Sequence, residues 1–295
     1  MKDEENIQDE SNFKVYIRDS RKLAEFLAHE SVDLVVSGPP YWNEVKYSEH
    51  EQQLSGIEDY QKFLTSLAQV WEASAVVLKP GGVLAFWVHD FYRGKQGDAY
   101  YVPFHADIQA TMPKSLVLKQ IVLWDRYLTR DKGALPAPPV GTRFVYVLIF
   151  KKAGEHPQNE KVIERSLERW YWEPVWHKKT QATLLGSKLL FRIIFYLGKP
   201  FGTSLNKVKQ WINKSFAVRD VHKFAGYTTE CPPEIAQRLI ADFSQQGDTV
   251  LDPFLGSGTT MAVAKRMNRK CIGVEINNAA LPAIKAKVRG FIIGT

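Results

Sequence analysis

Apolar positions in the first part of the chain change between the spacing of strands and that of helices. Phe13–Ile17 alternates as a strand does, and Leu34–Val36 is a short apolar run typical of a central parallel strand. Between them, Lys22–His29 has apolar positions compatible with a helix. From Tyr60 to Leu78 apolar residues recur at steps of three and four, which predicts an amphipathic helix of about five turns.

This long helix has a predicted start, a predicted stop and a strand behind it. Ser55-Gly56-Ile57-Glu58 fits a capping box, and Pro80-Gly81-Gly82 is a sequence that ends a helix. Val83–Val88 then reads as a strand. Strands alternating with helices predict an α/β fold.

The rest of the chain continues the alternation. The predicted helices are Phe104–Met112, Pro233–Phe243 and Met261–Met267, and the predicted strands are Leu116–Trp124, Phe144–Phe150, Thr249–Leu251 and Cys271–Val274. At 295 residues, the chain is long enough for one large α/β domain with an insertion.

A glycine-containing turn joins the strand at Thr249–Leu251 to the helix behind it. Gly256 and Gly258 would let the backbone approach a ligand, and the helix start offers free N–H groups. Glu275 follows the next strand, where nucleotide-binding folds place an acid on ribose hydroxyls. The third glycine of the dinucleotide fingerprint and a Gly-Lys-Ser/Thr loop are both absent from the sequence, which disfavours NAD and ATP.

The strand at Leu34–Val36 ends in Ser37-Gly38-Pro39-Pro40-Tyr41. Two prolines cannot extend a sheet, so a rigid loop poor in hydrogen-bond donors is predicted at the strand's carboxyl end. Open α/β sheets bind their ligands there. The same residues could instead form a loop that packs onto the core.

Both stretches resemble motifs of one enzyme family. Asp252–Thr260 resembles motif I of S-adenosylmethionine-dependent DNA amino-methyltransferases, and Ser37–Trp42 resembles their catalytic motif IV. The catalytic motif precedes the cofactor motif, as in the β group of that family. The resemblance implies a Rossmann-like, mixed and mostly parallel sheet with helices on both faces, circularly permuted, with an inserted target-recognition region.

The resemblance also implies a set of site residues. Gly38, Pro39, Pro40 and Tyr41 would be catalytic. The residues that would bind S-adenosylmethionine are Asp19, Ser37, Asp252, Phe254, Gly256, Ser257, Gly258, Thr259, Thr260 and Glu275. For Asp19, a helix N-cap is an equal alternative.

Gly38 departs from the family pattern, in which Asp, Asn or Ser precedes Pro-Pro-aromatic. Glycine has no side-chain acceptor for the amine of a base, so the backbone carbonyls around Pro39 would have to suffice. Gly38→Ala is then expected to be tolerated, provided that φ is not positive, and Gly38→Ser or Gly38→Asp to raise the rate. The surrounding Ser-x-Pro-Pro-Tyr-Trp is more similar to cytosine-N4 enzymes than to adenine-N6 enzymes.

The net charge of +7 is concentrated in one region. Residues 151–223 carry fifteen Lys or Arg against six Asp or Glu, which leaves −2 for the remainder. Aromatic residues such as Trp170 are interleaved, a combination typical of duplex DNA recognition. The alternative is a small basic subdomain whose aromatics form a core. Residues 126–143 are expected to form a flexible loop on the DNA side.

These patterns divide the chain into a catalytic half at 12–152, a recognition region at 153–222 and a cofactor half at 223–295. Cys231 and Cys271 give no disulfide framework or zinc spacing, so a cytoplasmic protein without structural metal or membrane segment is expected. Duplex DNA is the expected partner, and a homodimer is an open alternative to a monomer. The alternatives are a weak or inactive relative that binds cofactor and DNA as a regulator, and an RNA amino-methyltransferase.

Overall fold

The computed structural model describes residues 12–43, 45, 47–94, 98–125, 144–172, 175–177 and 232–294. Its strands are β1 Phe13–Ile17, β2 Val32–Ser37, β3 Leu78–Val88, β4 Phe91–Arg93, β5 Tyr100–Val102, β6 Leu116–Asp125, β7 Phe144–Lys152, β8 Val175–His177, β9 Thr249–Asp252, β10 Lys270–Glu275 and β11 Ile292–Ile293. Its α-helices are α1 Leu23–Phe26, α2 Tyr60–Val77, α3 Phe104–Ala110, α4 Glu160–Trp172, α5 Pro233–Phe243, α6 Thr259–Arg266 and α7 Leu281–Lys287.

The main sheet has the strand order β11-β1-β10-β9-β2-β3-β7-β6-β8. The strands from β11 through β3 pair in parallel, whereas β7 is antiparallel to both β3 and β6. Strands β4 and β5 form a separate antiparallel hairpin. The predicted mixed, mostly parallel sheet is confirmed.

Helices cover both faces of this sheet. One face packs against α1, α2 and α3 through buried residues such as Leu67 and Phe104. The other packs against α4 to α7 through residues such as Leu239 and Met261. The sheet is therefore buried on both sides, as its continuous apolar strands predict.

The long helix begins at Tyr60, as its apolar spacing predicts, but its N-cap is not in the predicted capping box and it ends before Pro80-Gly81-Gly82. Its N-cap is Asp59, whose carboxylate accepts the Lys62 N–H at 2.7 Å, and not Ser55, which lies in a 3₁₀ turn. After Val77 the strand begins at once, because Val32 pairs with Leu78 and Leu34 with Val83. The Pro80-Gly81-Gly82 residues are accommodated by this irregular register at the start of β3.

Part of the predicted recognition region belongs to the core. Helix α4 buries Ile163 and Trp170, and the Trp170 ring lies 5.2 Å from that of Phe243 on α5. For Trp170 the core alternative therefore holds. Residues 1–11, the predicted loop at 126–143, most of the basic region at 151–223, and Cys231 lie outside the described residues.

Asp33 connects three strands at their amino ends. Its carboxylate accepts from Lys79 Nζ at 2.5 Å and from the Thr249 N–H at 2.8 Å, and His156 Nε2 lies 3.3 Å away. Burial acts to raise the pKa of Asp33, but these partners outweigh it and hold the pKa below its ordinary 3.8. Within the ranges given above, no helix is both long and apolar enough to cross a membrane.

Candidate functional site

Strand register brings the predicted motifs to one edge of the sheet. Ile17 of β1 pairs with Glu275 of β10, and Gly273 of β10 pairs with Asp252 of β9. On the other side of β9, Ser37 of β2 pairs with Phe86 of β3. The carboxyl ends of five neighbouring parallel strands therefore meet, where such sheets bind ligands.

A cavity of about 220 Å³ opens at this edge. Most of the predicted site residues line it: Asp19, Gly38, Pro39, Pro40, Tyr41, Asp252, Phe254, Gly256, Ser257, Thr259, Thr260 and Glu275. Ser37 and Gly258 are buried and are not among its lining residues. The two motifs, more than 200 residues apart in the chain, thus face one space.

The glycine turn has the backbone that its sequence predicts. Gly256 and Gly258 have φ values of 52° and 85°, in the left-handed region that favours glycine, and Gly258 is the N-cap of α6. Lys287 Nζ on α7 donates to Ser257 Oγ at 2.7 Å and to Thr259 Oγ1 at 2.9 Å. The last helix therefore supports the turn.

Ser37 lies behind the cavity wall and is hydrogen-bonded to Asp252. Its hydroxyl donates to Asp252 Oδ1 at 2.6 Å, and the same oxygen accepts the Phe254 N–H at 3.0 Å. Burial raises the pKa of Asp252. Ser37 and Asp252 together fix the start of the glycine turn on the catalytic strand.

Glu275 closes the turn from the neighbouring strand. Its Oε2 accepts the Gly256 N–H at 2.9 Å and its Oε1 accepts the Asn277 N–H at 2.9 Å. Burial raises the pKa of this carboxyl as well. Each carboxylate oxygen has a second lone pair, so Glu275 can also accept from hydroxyl groups of a ligand.

Asp19 combines the two roles weighed for it. It caps the 3₁₀ turn at Ser20–Lys22 and accepts from Arg21, and it also lines the cavity. Burial acts to raise the pKa of Asp19, but the hydrogen bonds from Arg21 outweigh it and lower the pKa overall. A charged acceptor is thereby held beside the cavity.

The loop predicted to be catalytic is held by aromatic packing. Pro39 and Pro40 are buried and have no N–H groups, so neither adds a hydrogen-bond donor beside the carbonyls of the loop. The Tyr41 ring lies 4.3 Å from that of His89, whose backbone N–H donates to Tyr41 Oη at 3.3 Å. The loop is therefore rigid around its two prolines.

A tryptophan fills the space beside Gly38. A Cβ placed on Gly38 would lie 2.6 Å from Trp87 Nε1 and 2.8 Å from its Cε2, closer than such atoms approach in proteins. Gly38 itself is outside the left-handed region, so conformation is not the obstacle. The expectation that Gly38→Ala is tolerated is therefore corrected, because the indole would have to move.

Sequence reasoning missed several residues of the cavity wall, among them Trp87, His89, Trp124 and Asn277. The sequence did contain a signal for Trp87. It is an aromatic residue near the carboxyl end of β3, and β3 pairs with β2, the strand that leads into the Pro-Pro loop. The donors and acceptors of the wall fit a nucleoside with free hydroxyls: the carboxylates of Asp19 and Glu275 are acceptors, and the glycine turn allows close approach.

Comparison with known proteins gives a family and relatives. The model of the N6/N4 family described as DNA methylase matches residues 32–286. The type II methyltransferase M.MjaI of Methanocaldococcus jannaschii is 28% identical over 94% of this chain and 91% of its own. M.MthZI of Methanothermobacter thermautotrophicus is also 28% identical, over 93% of this chain and 76% of its own.

Solved structures show the same fold. A protein from Thermus thermophilus described as a putative DNA modification methylase, complexed with S-adenosylmethionine, matches with a TM-score of 0.62 at 27% identity, over 96% of this chain and 100% of that one. The cytosine-N4-specific PvuII DNA methyltransferase matches with a TM-score of 0.58 at 16% identity, over 93% and 87% of the two chains.

Proposed function

The chain belongs to the N6/N4 family of S-adenosylmethionine-dependent DNA methyltransferases, and we propose that it methylates the exocyclic amine of a base flipped out of specific duplex DNA, with cytosine N4 favoured over adenine N6. The preference for cytosine rests on the similarity of Ser-x-Pro-Pro-Tyr-Trp to cytosine-N4 enzymes. The type II relatives support a role in restriction-modification.

One observation carries this proposal. The Pro39-Pro40-Tyr41 loop lines the same cavity as the glycine turn and Glu275, so a methyl donor on one wall can reach a base on the other. Strands from residues 12–125 and 144–152 pair in one sheet with strands from residues 232–294, which supports a division into a catalytic half at 12–152 and a cofactor half at 223–295. We assign the target-recognition role to residues 153–222, with α4 as its attachment to the core.

S-adenosylmethionine supplies an electrophilic methyl group on a sulfonium. Glu275 and Asp19 would accept its ribose hydroxyls, and Phe254 and the glycine turn would contact the rest of it. Asp252 and Ser37 hold that turn in place through the hydrogen bond between their side chains and through the one that Asp252 accepts from the Phe254 N–H.

The base amine is a poor nucleophile because its lone pair is conjugated with the ring. If the Pro39 carbonyl accepts the hydrogens of the amine, the lone pair would turn toward the methyl group. Positioning of this kind supplies much of the rate gain. Tyr41 offers a ring face on which a base removed from its stack can lie. The proton released from the amine leaves to solvent.

Labelled S-adenosylmethionine and duplex DNA of mixed sequence test the proposal, with nucleoside mass spectrometry to identify the product. N4-methylcytosine is the expected product. N6-methyladenine would overturn the choice of base, and methylation of RNA in preference to duplex DNA would overturn the choice of substrate.

Gly38 favours a second candidate, a relative that binds cofactor and DNA as a regulator. It lacks the acceptor with which the family's motif begins, and Trp87 fills that place. Titration calorimetry combined with the labelling assay separates the two candidates. Binding of both ligands without transfer would establish the regulator.

A further inference from the structure

Trp87 occupies the place where the first side chain of the catalytic motif would begin. Ser37 pairs with Phe86, so the next residues, Gly38 and Trp87, lie side by side at the ends of β2 and β3. The Nε1 edge of the indole is the part nearest to Gly38, because the three atoms closest to a Cβ built there are Nε1, Cε2 and Cζ2, at 2.6, 2.8 and 2.9 Å.

This edge also belongs to the cavity wall. Trp87 is only 8% exposed, yet it lines the cavity together with Gly38, Pro39 and Tyr41. A buried indole that lines a site presents one polar atom, and that atom can only donate a hydrogen bond. Trp87 therefore cannot replace Asp, Asn or Ser as an acceptor for amine hydrogens.

A hydrogen-bond donor at the position of Trp87 Nε1 matches a ring nitrogen of the base and not its amine. Beside their exocyclic amines, cytosine has the unprotonated ring nitrogen N3 and adenine has N1, and each accepts a hydrogen bond. Thymine and guanine have an N–H at the same position. An indole N–H would therefore pair with an amino base and oppose the N–H of a keto base.

We propose that Trp87 is a specificity-determining residue whose indole N–H donates to the ring nitrogen beside the target amine. The inference rests on the proposed function and deepens it. The amine itself remains with the Pro39 carbonyl. Gly38 is then required because any side chain there would displace the indole N–H. The departure from the family motif at Gly38 would thus be coupled to the tryptophan at position 87.

The test compares normal DNA with DNA that lacks the ring nitrogen. The target sequence is first located by sequencing methylated DNA from cells that express the protein. Duplexes are then made with either the normal target base or its deaza analogue, 3-deazacytosine or 1-deazaadenine, in which C–H replaces that nitrogen. Wild-type protein and Trp87→Phe, which keeps an aromatic ring beside Gly38, are assayed on both.

On normal DNA, Trp87→Phe is expected to lower kcat/KM by about ten- to a hundredfold, the loss for one buried hydrogen bond. On the deaza duplex the two proteins should have equal kcat/KM, since the acceptor is already missing. The wild-type protein alone should lose activity from normal to deaza DNA, a measurement that needs no variant to fold.

Trp71→Phe is the matched control. Trp71 is fully buried against Phe86, and its Nε1 has no hydrogen-bond partner in the described part of the chain. Trp71 does not line the cavity but packs edge-on against Phe254, which does, so any change in kcat/KM that this variant causes should be the same factor on normal and on deaza DNA. Equal activity of wild type and Trp87→Phe on normal DNA, or an undiminished difference on deaza DNA, would overturn the role of Trp87 alone. Failure of the wild type to methylate any DNA would overturn the proposed function along with it.

Discussion

At the scale of single residues, the site depends on atoms that have little room to move. Gly38 lies against an indole, and Glu275 uses both carboxylate oxygens to hold backbone N–H groups. Substitutions of Gly38 and of Glu275 therefore test separately the cavity wall proposed for catalysis and the wall proposed for cofactor binding.

Gly38→Ala should lower the rate of methyl transfer about five- to a hundredfold, because overpacking against Trp87 costs about 1 to 3 kcal/mol. S-adenosylmethionine affinity, measured by calorimetry, should stay unchanged because the cofactor turn is on another strand. Gly56→Ala is the control, since a Cβ there meets no atom within 4 Å. A fully active Gly38→Ala protein would contradict the steric role of Trp87.

Glu275→Ala should raise the dissociation constant for S-adenosylmethionine about ten- to a hundredfold, the effect of losing one charge-assisted hydrogen bond. Binding of DNA without cofactor should hardly change. Glu72→Ala, which removes an exposed acid from α2, should leave both affinities as they are. Loss of thermal stability with unchanged cofactor affinity would limit Glu275 to bracing the turn.

At the scale of elements, the turn between β9 and α6 forms the part of the cavity wall that we propose binds the cofactor. Gly258 has a φ of 85° and starts α6, while a Cβ there would come no closer than 3.5 Å to Ile284. Space is therefore available for alanine, and conformation is the constraint.

Gly258→Ala and Gly247→Ala form a matched pair, because Gly247 has a φ of 87° but lies in the turn before β9, whereas Gly258 belongs to the turn whose residues Gly256, Ser257 and Thr259 line the cavity. Each should lower the free energy of unfolding by about 1 kcal/mol or more in urea titrations. Only Gly258→Ala should also weaken binding of S-adenosylmethionine. Equal affinities in the two variants would mean that the turn tolerates a shift of its backbone.

At the scale of the whole molecule, Asp33 joins β2 to β3 and β9 at the end of the sheet opposite the cavity. Its pKa is lowered on folding, so its stabilising effect is present above the ordinary Asp pKa and is lost as the pH falls through the lowered value.

Asp33→Asn should therefore reduce the free energy of unfolding by about 1 to 3 kcal/mol at neutral pH. The difference from the wild type should shrink below about pH 4. Urea denaturation across this range measures it, with the exposed Asp98→Asn as control. A difference that does not change with pH would assign the effect to packing and not to charge.

Local sequence patterns were enough to predict the main strands, the main helices and the two motifs of the site, whereas the placement of helices on both faces was implied by the family resemblance. These features depend on periodicity or on short contiguous stretches. The contact of Trp87 with Gly38 could not be predicted, because it follows from the register of β2 on β3 across an irregular start. Asp33 was missed for the same reason, since its partners Lys79 and Thr249 come from two other strands.

The position of β9 in the sheet has a consequence for the order in which the protein is made. Strand β2 carries the catalytic loop, but its neighbour β9 leaves the ribosome more than 200 residues later. Until then the backbone edge of β2 has no partner on that side, and such edges promote aggregation. A nascent chain therefore carries the catalytic motif without a cofactor wall and cannot modify DNA before synthesis has passed Glu275.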